Sequence, residues 1–204
     1  MNLIFIGMQA SGKGTQAKII SEKLGLVHIS TGDLLRGAEG ELKNEVDKYI
    51  QEGLLVPDEL MLRILNERLS QEDAKKGFIL DGFPRNISQA RELKKLVDID
   101  NVIEIAISDE EAIRRLSGRV NCPKCGALYN LITAPKPEKE GICDKCESEL
   151  YKRKDDNEES IRKRLEIYHN ETEPILNEYP FIKVDGSKSI DEVAQEILSK
   201  LEKN

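Results

Sequence analysis

Gly7-Met8-Gln9-Ala10-Ser11-Gly12-Lys13-Gly14-Thr15 follows the apolar run Leu3-Ile4-Phe5-Ile6 and opens a helical pattern. Glycine, four residues, then Gly-Lys at a strand-to-helix turn is the spacing of a phosphate-binding loop. Backbone N–H groups can curl around phosphate oxygens, and glycines such as Gly12 and Gly14 let the backbone come close. The N-terminus of the following helix adds partial positive charge, and Lys13 adds a full one. The plain alternative is a glycine turn with no ligand. Gly14 stands where Ser or Thr usually follows the lysine, so the hydroxyl comes one residue later, at Thr15.

Outward from this loop the pattern alternates. A helix is expected from about Lys13 to Leu24, with Ala17, Ile20 and Leu24 on one face and Gly25 as its stop. Short apolar runs at Val27–Ile29, Phe78–Leu80, Val102–Ile107 and Phe181–Val184 read as further strands. Helical stretches lie between them, including Asp58–Leu69 behind Pro57, about Glu158–Tyr168 and Ser189–Leu201. Strands separated by helices predict an α/β fold, a doubly wound parallel five-stranded sheet of the P-loop kind with helices on both faces.

The chain's 204 residues suffice for one sizeable core, with room for an insertion. A net charge of −7 argues against a general duplex-binding protein while leaving room for a local basic cleft. No stretch approaches a membrane span, and Leu3–Ile6 is too short for a signal-peptide core and lacks a basic flank. A soluble, cytoplasmic protein is the expectation, and a reducing compartment disfavours disulfides among its four cysteines.

Those cysteines all fall between about Val120 and Leu150, a segment with no helical period, which reads as an inserted small unit. Cys122-Pro123-Lys124-Cys125 and Cys143-Asp144-Lys145-Cys146 are paired C-x2-C motifs at a separation found in zinc sites. Four thiolates fill a tetrahedral site and leave no open position, so one structural Zn2+ is expected, with iron the alternative ion for this ligand set.

The Gly-Lys-Gly-Thr form of the loop resembles that of the adenylate kinases, and the likeness runs along nearly the whole chain. Ser30-Thr31-Gly32-Asp33-Leu34-Leu35-Arg36 is similar to the family's acceptor-binding segment, and Asp81-Gly82-Phe83-Pro84-Arg85 with Gln89 to its most recognisable motif. Arg115, Gly118-Arg119, Arg153-Lys154-Asp155-Asp156, Arg162-Lys163-Arg164 and Val184-Asp185-Gly186 follow in order. The family usually has Pro and Gly where Gln9 and Ala10 stand, and the stretch from Arg36 to Gly53 is slightly short.

This resemblance implies transfer of the terminal phosphoryl group of ATP to AMP, giving two ADP, with Mg2+. It implies that Lys13 and the backbone of Ala10, Ser11, Gly12, Gly14 and Thr15 hold the ATP phosphates, with Arg115 near the ATP base and Leu128, Tyr129 and Lys188 touching ATP. Thr31 and Gln89 would read the acceptor adenine, Leu54, Leu55 and Val56 would lie along it, and Gly82, Phe83 and Pro84 would belong to the same pocket. Arg85 and Arg36 would meet the acceptor phosphate, and Arg119, Arg153 and Arg164 would close over the transferring group. Asp81, ending an apolar strand, would hold Mg2+ through water. The implied domains are a core (residues 1–29, 57–118 and 157–204), a monophosphate-binding lid (30–56) and a zinc-binding lid (119–156). A monomer is implied, with no nucleic-acid or membrane partner.

The chemistry agrees with this assignment. A phosphate-monoester acceptor is already anionic and needs no general base, and neither His28 nor His169, the only histidines, lies in a motif. Arginine suits charge neutralisation because its planar fork binds phosphate oxygens in pairs. The competing readings are a GTP:AMP phosphotransferase, a UMP or CMP kinase, and a zinc-ribbon nucleic-acid-binding or adaptor protein with a vestigial loop. The long insert weighs against the pyrimidine kinases, and the acidic charge and scarcity of aromatics (4%) against the zinc ribbon.

Overall fold

In the first strand, β1 (Asn2–Ile6), Leu3 and Phe5 point to one face and Ile4 and Ile6 to the other, all of them buried. A strand apolar on both sides needs cover on both sides, and it lies at the centre of a parallel sheet. The computed structural model describes residues 1–50, 54, 56–153 and 156–203.

From β1 the chain runs through α1 (Lys13–Leu24) to β2 (Val27–Ser30), then α2 (Thr31–Arg36), α3 (Gly40–Ile50) and α4 (Asp58–Leu69). β3 (Phe78–Asp81), α5 (Ile87–Leu96), β4 (Asn101–Ala106) and α6 (Asp109–Gly118) follow. The inserted segment carries the short pair β5 (Arg119–Asn121) and β6 (Leu128–Asn130), after which α7 (Glu158–Ile167), β7 (Phe181–Asp185) and α8 (Ile190–Leu201) complete the chain. The main sheet has the order β2-β3-β1-β4-β7 with every pair parallel. One face packs on α1 and α8 through Ala17, Ile20, Val193 and Ile197, and the other on α4, α5, α6 and α7 through Leu65, Leu93, Leu116 and Ile161.

The expected strands and helices appear, with small shifts at their ends. The fourth strand begins at Asn101 and stops at Ala106, leaving Ile107 outside. Leu24, expected on the apolar face of α1, is 39% exposed, because the helix turns its last residue to solvent before Gly25 closes it at φ 67. The buried face holds Gln16, Ala17, Ile20 and Ser21 instead. Local chemistry fixes other ends: Ser30, Asn86, Ser108, Asn157 and Ser189 each cap the helix that follows by accepting a backbone N–H.

The order of strands positions the site. Chain direction away from β1 reverses between β3 and β4, and in such sheets ligands gather outside the carboxyl ends at that reversal. Gly7 leaves the end of β1, and Asp81 ends β3, paired in register with Phe5.

Candidate active site

The phosphate loop closes on itself through Lys13, whose Nζ donates to the carbonyls of Gly7 at 2.6 Å and Met8 at 2.7 Å. Burial drives its pKa down to about 8; Asp81 opposes this, while the cations Arg85 and Arg119 add to it. Gly7 cannot be replaced without moving backbone, since a Cβ there would stand 2.3 Å from the carbonyl oxygen of Ile105. Gly12 caps α1 in the left-handed region at φ 98. Gly14 is helical, so its role is not the unusual backbone that its neighbour needs. Its missing side chain makes room for Asp81, whose Oδ2 would lie 3.1 Å from a Cβ. Ser11 is buried with its Oγ unpartnered among the described residues, and Ala10 takes φ 61, a conformation glycine adopts more easily.

A second cleft lies beside the loop, lined by Thr31, Leu35, Val56, Met61, Gly82, Phe83, Arg85 and Gln89. Six of these are residues to which the family resemblance gives a role; Leu35 lies in the Ser30–Arg36 motif without a role of its own, and Met61 is an addition that no motif marks. The cleft is narrow, with a cavity volume of about 10 Å³, close to the ~10–15 Å³ that one water molecule needs. Leu54 donates its N–H to the Tyr49 carbonyl, and Leu55 lies outside the described residues. Pro84 is buried. Gln89 is 2% exposed: its Oε1 accepts the Arg85 N–H at 2.8 Å and its Nε2 donates to Asp58 at 2.7 Å. Asp58, which also accepts from Asn86, is a partner no motif announced. A roomier hollow of about 320 Å³ at the β2 edge is lined by His28, Asp33 and Arg68 among others, but Arg68 is already engaged with Asp73 and none of the expected arginines lines it.

Several arginines stand within electrostatic range of the loop and of one another: Lys13 feels Arg85 and Arg119, and Arg85 feels Arg36 and Arg164. Arg85 donates from Nε to the Gly82 carbonyl. Burial lowers its pKa against the pull of Asp81, and Arg36 and Arg164 are close enough to lower it further. Arg36 pairs with Asp33 at 2.6 Å, and Arg153 donates to Asn121. Arg119 grips Asp156 with two bonds, Nε–Oδ2 at 2.8 Å and Nη2–Oδ1 at 2.6 Å, and Arg164 reaches the same carboxylate at 2.9 Å. Burial alone would raise Asp156, yet these two guanidiniums hold its carboxyl below the usual range. Arg115 ties three elements together, donating to Glu111, to the Ala10 carbonyl and to the Gly186 carbonyl.

Other expected donor-side residues are placed differently from one another. Leu128 is 41% exposed, whereas the Tyr129 side chain is buried in the insert, with its hydroxyl accepting from the Asp144 N–H and lying 3.6 Å from the Cys143 sulfur. Tyr129 therefore serves the insert's own core through its ring. Lys188 pairs with Glu196. Asp81 has His28 Nε2 at 3.5 Å, and His169 sits between Asp109 and Glu173.

The four cysteine sulfurs lie within 4.8 Å of one another. Cys122 and Cys146 are 3.4 Å apart and Cys125 and Cys143 3.5 Å, well beyond the ~2.05 Å of a disulfide and near the ~3.8 Å expected between thiolates around one tetrahedral zinc. Both C-x2-C turns have the same build. Gly126 N–H donates to Cys122 O and Glu147 N–H to Cys143 O, with Gly126 at φ 71 and Glu147 at φ 58. The set fits a structural metal.

The adenylate kinase family model matches residues 5–183. The chain belongs to the adenylate kinase family. It is 47% identical to an adenylate kinase of Archaeoglobus fulgidus, over 100% of this chain and 99% of the relative. It is 46% identical to one from Thermodesulfovibrio yellowstonii over 100% of both, and 45% identical to one from Caldicellulosiruptor bescii over 98% of this chain and 99% of the relative. As a member of the adenylate kinase family it is a phosphotransferase acting on nucleotides. Among the described residues no helix is long and apolar enough to cross a membrane.

Proposed function

We propose that this chain reversibly transfers the terminal phosphoryl group of ATP to AMP, giving two ADP. The observation that carries the reading is Asp81. Its carboxylate lies against Gly14 at the start of α1, while its carbonyl accepts from Thr31 Oγ1 at 3.2 Å. One residue thus joins the phosphate loop to the second cleft, the arrangement needed for a direct transfer between two nucleotides.

In the proposed reaction an oxygen of the AMP phosphate attacks the γ-phosphorus, and the bond to the oxygen bridging the β- and γ-phosphates breaks. Both the attacking and leaving oxygens are anionic, so no base is required and the work is positioning and charge stabilisation. Lys13 and the loop from Ala10 to Thr15 hold the donor phosphates. Arg36 and Arg85 hold the acceptor phosphate, while Arg119, Arg153 and Arg164 surround the transferring group. Thr31, Gln89, Leu54, Leu55, Val56 and the Gly82-Phe83-Pro84 turn form the acceptor's base pocket. Arg115, Leu128, Tyr129 (through its backbone) and Lys188 flank the donor. Asp81 is a hard oxygen donor suited to Mg2+ that keeps its waters. That ion, when bound, neutralises charge on the donor phosphates. Zn2+ on Cys122, Cys125, Cys143 and Cys146 is structural.

We infer that segments 30–56 and 119–156 are lids over a fixed core (1–29, 57–118 and 157–204); the narrowness of the second cleft, lined by Thr31, Leu35 and Val56, supports the first of them. Closing them excludes water that would otherwise compete for the phosphoryl group. We also infer a cytoplasmic monomer with ATP, AMP and ADP as its partners.

The test is a coupled assay of ATP, and then GTP, against each monophosphate in turn. ATP with AMP is expected to be the fastest pair, and Lys13→Met or Arg85→Ala to lower turnover by about 10²–10³-fold. Near-normal turnover in either folded variant, or a preference for another acceptor, overturns the reading.

A further inference from the structure

Gln9 stands within the phosphate loop, between two residues whose carbonyls are occupied. Met8 O accepts from Lys13 and from the Ser11 N–H, and Ala10 O from Arg115. The Gln9 side chain is different. Its Oε1 is sealed from solvent and takes no hydrogen bond from any described residue. Its Nε2 makes none with any described residue and is not among the sealed atoms. A buried carbonyl with no donor is a cost that native structures seldom keep without a use.

We propose that the Gln9 carboxamide is a further catalytic residue, binding the phosphoryl group in transit. Nε2 donates to an oxygen of the terminal phosphate of a bound nucleoside triphosphate, and Oε1 accepts an N–H from a guanidinium that closes onto the same phosphate. This rests on the reading of Gly7–Thr15 as the triphosphate site. A neutral donor is well matched to that role. Charge spreads over the equatorial oxygens as the bond to the leaving oxygen weakens, and a fixed dipole stabilises it without holding the ground state more tightly by a full charge.

The experiment compares Gln9→Ala, Gln9→Glu and Gln9→Asn in the zinc-loaded full chain, with the thermal midpoint as a folding control. It measures kcat, the KM for ATP and for AMP, and binding of ADP and of a non-hydrolysable triphosphate analogue. Gln9→Ala is expected to lower kcat by about 10–100-fold, the loss typical of a hydrogen bond to a charged group. It should weaken the triphosphate analogue more than ADP, and leave the AMP KM within about twofold. Gln9→Glu should be worse than Gln9→Ala, since it sets a like charge against the phosphate. Gln9→Asn keeps the amide one methylene short and should fall between wild type and Gln9→Ala. Unchanged kcat in folded Gln9→Ala and Gln9→Glu, or equal weakening of triphosphate and ADP, overturns the proposal. If Lys13→Met loses ATP while Gln9→Ala behaves as wild type, only the Gln9 role fails. If Lys13→Met binds ATP normally, the reading of the loop fails first.

Discussion

Arg119 and Asp156 face each other across the two chain crossings that lead into and out of the cysteine-bearing insert, joined at 2.8 and 2.6 Å. Arg164, on α7, takes the same carboxylate, so one buried acid gathers two of the cations proposed to surround the phosphoryl group. The contact closes the base of the insert and stores its charge close to the site.

Asp156→Ala should therefore act twice. It removes the carboxylate that the largely buried Arg119 grips with two bonds and that Arg164 also reaches, and breaking such a pair typically costs about 3–5 kcal/mol. The folded-state pKa of Asp156 is depressed, so its contribution is present above the unfolded value of 3.8 and is lost as pH falls through the lower folded one. Denaturant unfolding at pH 7 checks this loss of stability, and limited proteolysis between Val120 and Leu150 checks the second effect, a loosening of the insert whose base the contact closes. Wild-type stability with no gain in cleavage would show that the arginines need no such anchor.

The zinc proposal separates lid from core. The insert's own apolar cluster is small, built on Val120, Cys122, Tyr129 and Cys143, and segments of this size rely on a metal to stay folded. Cys143→Ser with Cys146→Ser should lose bound zinc, expose the insert to protease and inactivate at lower temperature, while the sheet keeps its far-ultraviolet signal. Full zinc occupancy in that variant, or metal loss with no change in cleavage or inactivation, would falsify the assignment.

Glu147 offers a gain. It occupies the left-handed position that its counterpart Gly126 fills without strain, and an L-residue there gives up about 1–2 kcal/mol. Glu147→Gly should stabilise the insert by about 1 kcal/mol, after allowing for the added freedom of the unfolded chain. Gly126→Ala should destabilise it by a similar amount. Zinc release to a chelator, followed at fixed temperature, should slow in the first variant and quicken in the second; the reverse order would contradict the strain argument.

Lys13 makes the donor site sensitive to alkali. With its pKa near 8 in the free protein, it is charged below that pH and increasingly neutral above it. Phosphate binding favours the charged form, so the KM for ATP should climb above about pH 8, by up to about tenfold per unit, while the KM for AMP climbs less. The folding consequence has the opposite sense. Between about 8 and the unfolded value of 10.5 the unfolded chain binds more protons, so this group's burial penalty shrinks as pH rises. Comparing wild type with Lys13→Met in denaturant at pH 7 and 10 checks that sign, and a flat ATP profile from pH 7 to 9.5 would refute the first claim.

Much of the site is legible in the chain alone, because its parts are local. The strand, loop and helix from Leu3 to Leu24 are set by adjacent apolar runs, three glycines and the lysine of the loop, which act within a few residues of each other. The cysteine pairs likewise specify their turns by spacing alone. Family order supplies Thr31, Arg85 and Gln89, and these do line one cleft. Partners far apart in the chain are not legible in this way. Asp58 meets Gln89 across 31 residues, Asp156 meets Arg119 across 37, and Arg115 meets Gly186 across 71. Leu35 and Met61 enter the cleft, Leu24 leaves the core and Tyr129 turns inward for the same reason. Side-chain direction depends on which helix or strand packs alongside, and that is settled in the core by the order β2-β3-β1-β4-β7 and for Tyr129 by the β5-β6 pair of the insert, not by neighbours along the chain. Residue order thus suffices for the elements and for the chemistry they carry. Which charges stand opposite one another is a property of the folded molecule, because Coulomb and hydrogen-bond energies depend on distances in space that folding alone creates.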